Sequence, residues 1–176
     1  MELLVENSKK LRKLKSKIEK VLDIQLNITR SKISFESEDA YKEFIAKIII
    51  EAMDFGFELE EASQLKKEDY MMGIINLKEY ARPTRLRETL GRMIGKKGKA
   101  IRTLSQLSDC SIKIKDYTVA LIGSTDDVDT ALLALKKLAR GSPHAKVYGF
   151  LERKKAEKKM IERDDIRIIR NELKEE

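Results

Sequence analysis

The sequence predicts an α+β chain in which one small unit of strands and helices occurs twice, followed by a charged helical tail. Three observations carry this expectation. Sliding the 176 residues against themselves by 86 positions aligns two segments without a gap. Each segment holds two short runs of alternating apolar residues, the period of a strand, and then a helical period. The last 25 residues carry nine basic and eight acidic side chains, the pattern of solvated helix.

The elements follow in order. Glu2–Val5 reads as a first strand and Ser8–Leu22 as a helix. Asp23-Ile24-Gln25-Leu26-Asn27-Ile28 falls on Asp109-Cys110-Ser111-Ile112-Lys113-Ile114, and Lys32-Ile33-Ser34-Phe35 falls on Thr118-Val119-Ala120-Leu121. Ser37-Glu38-Asp39 falls on Gly123-Ser124-Thr125, with Asp126 and Asp127 next. Both places suit a helix start, a hydroxyl to cap and acids where the dipole favours them. The helices that follow, about 39–55 and 126–140, place Ile45, Ile49 and Ala52 opposite Ala131, Leu135 and Leu138. Phe57–Asp69 is a connector with a short helix, and Met71–Leu77 is apolar and β-branched enough for the second copy's first strand. Pro83 and Thr84 suit the start of a helix, and about Gly98–Ser108 is another. After Gly141-Ser142-Pro143 come one or two charged helices, with Gly149 weakening continuity.

Composition excludes several chemistries. With 41% apolar residues the chain has enough for a core. No apolar run approaches the roughly 18 residues of a membrane span, and the first residues lack a signal-peptide core. Cys110 is the only cysteine and His144 the only histidine, so disulfide frameworks and cysteine zinc sites are excluded, and Ser-His-Asp triads and Cys-His pairs are strongly disfavoured. The expectation is a reduced, cytoplasmic compartment, no membrane, no cofactor and no bound metal.

The net charge of +7 is unevenly spread. Residues 1–80 carry 14 basic and 16 acidic side chains, whereas 82–115 carry ten basic and two acidic. An excess packed this tightly points to a polyanion, most often nucleic acid. At its centre stands Gly91-Arg92-Met93-Ile94-Gly95-Lys96-Lys97-Gly98-Lys99-Ala100-Ile101. Glycines at 95 and 98 let a strand's phosphates come close to the backbone and permit unusual φ/ψ. A helix opening near Gly98 aims free N–H groups and its dipole at those phosphates, and Lys96, Lys97 and Lys99 add charge. Arg87, Arg92 and Arg102 either contact phosphates, stack on bases or stand as solvated surface residues. Some of Ile94, Ile101, Leu104, Ile112 and Ile114 are core, and the others, beside Lys113, line a groove for bases. Nucleotide-binding loops are disfavoured, because neither Gly-x-Gly-x-x-Gly nor Gly-x-x-x-x-Gly-Lys-Ser/Thr occurs.

An apolar residue before Gly95, two lysines between the glycines, Ile101 beyond, and then helix, strand, strand, helix resemble the I-G-x-x-G-x-x-I signature of the KH domain. The order resembles the eukaryotic-type (type I) arrangement. That resemblance implies two tandem KH type I units, each a three-stranded antiparallel sheet packed on helices: residues 1–69 with connector, 70–150 with the loop, and a helical tail, 151–176. It also implies a clamp on about four nucleotides. In the first copy the loop positions are Lys9, Lys10, Leu11 and Arg12, with no glycine, so it reads as a degenerate unit. Its basic segment, Lys9 to Lys17, is either an auxiliary phosphate contact or a solvated helix face, the latter preferred.

A glycine-less unit, then Asp54-Phe55-Gly56-Phe57, then a unit ending in Gly141-Ser142-Pro143-His144-Ala145-Lys146-Val147-Tyr148-Gly149 is similar to the archaeal KH-domain ribosomal RNA-processing family. That family is the counterpart of the eukaryotic "partner of Nob" small-subunit assembly factor. The resemblance implies a non-catalytic factor whose second unit binds single-stranded RNA at the 3′ region of small-subunit ribosomal RNA. It implies the Nob endonuclease and the alpha subunit of archaeal translation initiation factor two as further partners. Lys146 belongs to the family-specific stretch and either packs the tail or reaches RNA. Two other readings are weighed: a KH-containing protein-interaction adaptor of translation initiation or RNA decay, and a metal-dependent nuclease built on Asp126, Asp127 and Asp129, where capping is the preferred role.

Overall fold

The computed structural model describes residues 1–172, so the last four residues of the expected tail lie outside the described residues. Six strands form two three-stranded antiparallel sheets. The first holds β1 (Glu2–Leu4), β2 (Leu26–Ile28) and β3 (Lys32–Phe35) in the order β1-β3-β2, with Leu3 opposite Ile33 and Asn27 opposite Ser34. The second holds β4 (Tyr70–Asn76), β5 (Ser111–Lys115) and β6 (Thr118–Ser124) in the order β4-β6-β5, with Gly73 opposite Leu121 and Lys113 opposite Ala120. The shared order has a local cause. Only Asp116 and Tyr117 separate β5 from β6, and Asp116 takes the positive φ (52°) that so tight a hairpin demands. The hairpin forms locally, and the earlier strand adds to its open edge.

Helices follow the repeat. In the first copy α1 (Ser8–Lys13) and α2 (Lys15–Leu22) replace the single helix expected over 8–22, because the chain turns at Leu14 (φ −100°, ψ 3°). α3 (Ala40–Phe55) is capped by Asp39, whose carboxylate accepts from the Tyr41 N–H at 2.8 Å. In the connector lies α4 (Leu59–Ala62), where the Glu61 carboxylate accepts from the Glu58 N–H at 2.9 Å, one half of a capping box. The second copy has α5 (Leu86–Ile94), α6 (Lys99–Ser108) and α7 (Thr125–Ala139), and α8 (His144–Glu172) follows. α8 passes through Gly149 without a break, so the expected one or two tail helices are one. Val147 and Leu151, one turn apart, are both buried, and that packing outweighs the roughly 1 kcal/mol a helical glycine costs.

Structurally equivalent residues behave alike across the 86-residue offset. Asp23 and Asp109 both close a helix in the left-handed conformation, at φ 55° and 52°. Each carboxylate meets a lysine, Asp23 with Lys42 at 2.8 Å and Asp109 with Lys155 at 2.7 Å. The hydrogen bond from Lys42 holds the Asp23 carboxyl below its usual range. Ile45, Ile49 and Ala52, like Ala131, Leu135 and Leu138, are all buried.

Two compact units result, each discontinuous in sequence: Met1–Asn76 with Cys110–Val128, and Leu77–Asp109 with Asp129–Glu176. The first contains both sheets. Its core joins Leu11, Ile18, Ile33, Ile49, Met53, Phe57 and Leu65 to Ala120 and Ile122 of β6. Val119 and Leu121, on the alternate positions of that strand, are also fully buried, so β6 is apolar on both faces. In the second unit α6 packs against α5 and α8, and Met93, Leu104 and Val147 are buried. Among the described residues no helix is long and apolar enough to cross a membrane.

Gly123 has no room for a side chain, since a Cβ there would stand 2.7 Å from the Cys110 sulfur. Gly123→Ala is expected to cost about 1–3 kcal/mol in urea unfolding, the range for overpacking, and Cys110→Ala in the same chain to recover most of that loss.

Candidate nucleic-acid interface

The Gly95–Gly98 turn joins α5 to α6. Gly95 closes α5, its N–H donating to the Gly91 carbonyl at 2.8 Å, with φ 71° and ψ 173°, a region essentially reserved for glycine. Lys97 (φ 53°, ψ 32°) and Gly98 (φ 72°, ψ 16°) are left-handed, and the Gly98 N–H donates to the Gly95 carbonyl at 3.1 Å. The two glycines are needed for different reasons. A Cβ at position 95 would sit 2.6 Å from the Ala100 Cβ and 2.8 Å from its backbone nitrogen. At position 98 the nearest atom is the Arg102 guanidinium at 3.5 Å, so backbone conformation alone sets the preference. Arg102 donates to the Lys97 carbonyl at 2.9 Å, tying the turn's apex to α6.

Charge gathers on this turn. Lys96, Lys97 and Lys99 are exposed, and among the described residues none of them is paired with a carboxylate. α6 has Gly98 at its N-cap and no side chain caps it, so its first N–H groups and positive dipole end are left for an outside acceptor. Ile94 is 38% exposed beside the wholly buried Met93, and Ile101 is half-buried. Arg87 is exposed on α5.

Arg92 has a different position from its neighbours. Its guanidinium donates to the Ser142 carbonyl at 2.7 Å, and its own carbonyl lies 3.0 Å from His144 Nε2, which must carry the hydrogen. The Gly141-Ser142-Pro143-His144 stretch therefore fastens the last turn of α5 to the start of α8. Tyr148 stacks obliquely on His144 at 5.7 Å, and burial raises its phenol's pKa. Farther along α8, Lys155 donates to the Gln106 carbonyl at 2.9 Å and to Asp109 at 2.7 Å, fixing the end of α6. Lys146, on the first turn of α8, is exposed. Sequence reasoning did not find the roles of Ser142, His144 and Lys155; the family-specific stretch was the signal for the first two, and Lys155 left none.

Ile112, Lys113 and Ile114 lie on β5 in the first unit and are half-buried. The Lys113 ammonium is 2.9 Å from Glu61 and 5.9 Å from the centre of the Phe57 ring. Lys115 pairs with Glu6 at 2.5 Å, and that hydrogen bond raises its pKa.

The first copy has no such turn. Lys9, Lys10, Leu11 and Arg12 lie within α1, and Leu11, the counterpart of the apical Lys97, is wholly buried. Lys10 pairs with Glu58 at 2.8 Å, and Arg12 donates to the Thr29 carbonyl at 3.0 Å. Lys9, Lys13 and Lys17 are exposed. Of the three candidate acids, Asp127 accepts from the Ser124 hydroxyl at 2.5 Å, while its N–H lies 3.4 Å from the same oxygen, an N-terminal cap. Among the described residues no group of three or more His, Cys, Asp or Glu is placed to hold a metal ion.

Residues 71–156, from β4 through the turn and into α8, match the family of eukaryotic-type KH domains (KH-domain type I). The structure of Dim2p from Pyrococcus horikoshii is 31% identical, superimposes with a TM-score of 0.74, and is covered over 98% of its length by 87% of this chain. The chain belongs to the Pno1/Dim2 family. Its relatives include a KH domain-containing protein of Methanocaldococcus jannaschii, 33% identical over 81% of this chain and 65% of that protein. The RNA-binding protein pno1 of Drosophila pseudoobscura is 30% identical over 58% of this chain and 44% of its own length. The chain thus spans between two fifths and two thirds of the curated family members it matches. One of them, from Emericella nidulans, is named a pre-rRNA-processing protein, at 26% identity over 59% of this chain and 42% of its own length. A second Pyrococcus structure, a complex of a/eIF2alpha, aDim2p and rRNA, is 30% identical with a TM-score of 0.76, over 89% of this chain and 94% of that one.

The two family glycines are expected to differ in cost. Gly95→Ala, which combines strain with overlap, should lose about 2–4 kcal/mol of unfolding free energy. Gly98→Ala, strained in φ alone, should lose about 1–2 kcal/mol, both read from denaturant titrations.

Proposed function

We propose that this chain is a non-catalytic RNA-binding factor of small-subunit ribosomal RNA processing and ribosome assembly, acting in the cytoplasm. In this reading it is a tandem KH protein: a glycine-less unit over 1–69, a clamping unit over 70–150, and a charged helical tail over 151–176. The clamping unit takes single-stranded RNA at the 3′ region of small-subunit ribosomal RNA. The Nob endonuclease and the alpha subunit of archaeal translation initiation factor two are its protein partners. The observation that carries the reading is the Gly95–Gly98 turn, two glycines around three exposed lysines at an uncapped helix start. Support for the RNA class comes from the pre-rRNA-processing name of the Emericella relative and from rRNA in the Pyrococcus complex, whose a/eIF2alpha supports the protein partner.

The turn acts by proximity. Gly95 keeps the turn tight against Ala100, and with no Cβ at 98 a phosphate can approach the backbone within hydrogen-bond reach, where the α6 N–H groups donate to its oxygens. Lys96, Lys97 and Lys99 add charge that is independent of sequence, while bases are read elsewhere. Arg102 holds the apex, so little loop entropy is lost on binding.

Lys96→Asp with Lys97→Asp is expected to abolish binding of a ribosomal 3′-end RNA in filter or fluorescence titrations, with circular dichroism and unfolding unchanged. In the native chain the logarithm of the binding constant should fall with that of salt by roughly 0.7 per phosphate contacted. Equal affinity in the double variant would refute the site.

A further inference from the structure

Alongside α5, from its entry to its last turn, the second unit holds a cavity of about 330 Å³ lined by Tyr80, Arg82, Arg85, Glu88, Arg92 and Arg140, among others. Its lining holds four arginines and one glutamate. Arg82, Arg85 and Arg140 are exposed, and among the described residues none of them forms an ion pair with a carboxylate. Two members are held in place: Arg92 by the Ser142 carbonyl at 2.7 Å, and Arg140 over the Tyr80 ring at 5.6 Å, which the Lys136 ammonium also approaches at 5.6 Å. Four cations gathered about a single carboxylate repel one another more than it offsets, so the arrangement is at its most favourable with a further anion among them.

The chemistry of the wall selects the anion. Planar guanidinium forks match the paired oxygens of phosphate, and the two members held by other contacts, Arg92 and Arg140, give up little rotamer freedom on binding. The cavity is reached through exposed residues; Arg82 and Arg85 stand at the entry of α5, whose nine residues lead to the glycine turn over roughly 14 Å at the helical rise, and Arg92 stands on its last turn. A single strand gripped at the turn needs only a few more nucleotides to reach it.

We propose that this arginine cavity is a second phosphate site, which takes the backbone of the same RNA strand beyond the nucleotides gripped by the glycine turn. The inference rests on the RNA-binding reading above. It extends the footprint and gives the protein a way to prefer long single strands over short ones.

Two RNAs test it: a tetranucleotide that fills the turn alone, and a dodecanucleotide of ribosomal 3′-end sequence. Arg82→Gln with Arg85→Gln, with and without Arg140→Gln, should weaken the dodecanucleotide roughly tenfold or more and make its salt slope shallower by about 1.4, two phosphates' worth. Tetranucleotide affinity should stay the same. The double variant removes only exposed side chains and leaves the Tyr80 contact in place, so it keeps the test valid if the triple variant unfolds. Unchanged affinity and slope for the dodecanucleotide in the double variant would overturn the proposal. So would saturation of the cavity by inorganic phosphate or ATP, followed through arginine Nε–H signals, with no competition against the dodecanucleotide. Loss of both RNAs in the Lys96→Asp, Lys97→Asp variant, with no effect of the arginine changes, would sink this site alone. Retention of both RNAs in that lysine variant would sink the reading of the turn.

Discussion

The contact on which the functional half of the molecule depends is the one between residue 95 and Ala100. Ala100 occupies the space where a side chain at position 95 would stand, at 2.6 Å from a Cβ built there. Only glycine allows α5 to stop and α6 to begin with so little chain between them. Once the turn is that tight, its middle residues cannot fold inwards: Lys96 and Lys97 project to solvent, and Lys97 accepts a left-handed backbone.

The first copy shows the consequence of filling that position. With lysine at 9 and arginine at 12, the chain runs on as helix and turns two residues later, at Leu14. Leu11, where the second copy presents Lys97, is wholly buried, and Lys10 and Arg12 are bound to Glu58 and the Thr29 carbonyl. The segment has become part of a core shared with Ala120 and Ile122 of the second sheet. A residue serving a core cannot also project into solvent, so the glycine-free copy contributes structure at the positions where the other presents exposed lysines.

Much of this was legible in the sequence because it is written locally or periodically. The 86-residue offset carries the strand order, the buried triplets of α3 and α7, and the paired aspartates that close α2 and α6. The glycine turn was legible because its residue types leave few conformations. What escaped reading depends on partners some fifty residues away. Arg92 stands in a basic run, and nothing in that run tells that its guanidinium and carbonyl both meet the start of α8. Lys113 alternates like a groove residue, yet Glu61 lies beside it. The arginine cavity joins residues 82, 85, 92 and 140, which no period connects. Gly149 misleads in the other direction, since propensity is a small term beside the burial of Val147 and Leu151.

The ten basic residues of 82–115 can now be separated by what holds them. Lys113 and Lys115 are neutralised by Glu61 and Glu6. Arg92 and Arg102 keep their charge but are bound to carbonyls, acting as struts at the two sides of the turn. The exposed remainder falls into two groups at the ends of α5: Arg82, Arg85 and Arg87 at its start, and Lys96, Lys97 and Lys99 just past its end. Ions at physiological strength screen charges over about 8 Å, and α5 separates the groups by roughly 14 Å, so each acts on its own stretch of a polyanion. Under the proposed function, a field divided in this way suits an extended strand along α5 better than a compact anion that meets only one group. Because α8 fixes α5 through His144 and α6 through Lys155, the spacing between the two groups is set before any strand arrives.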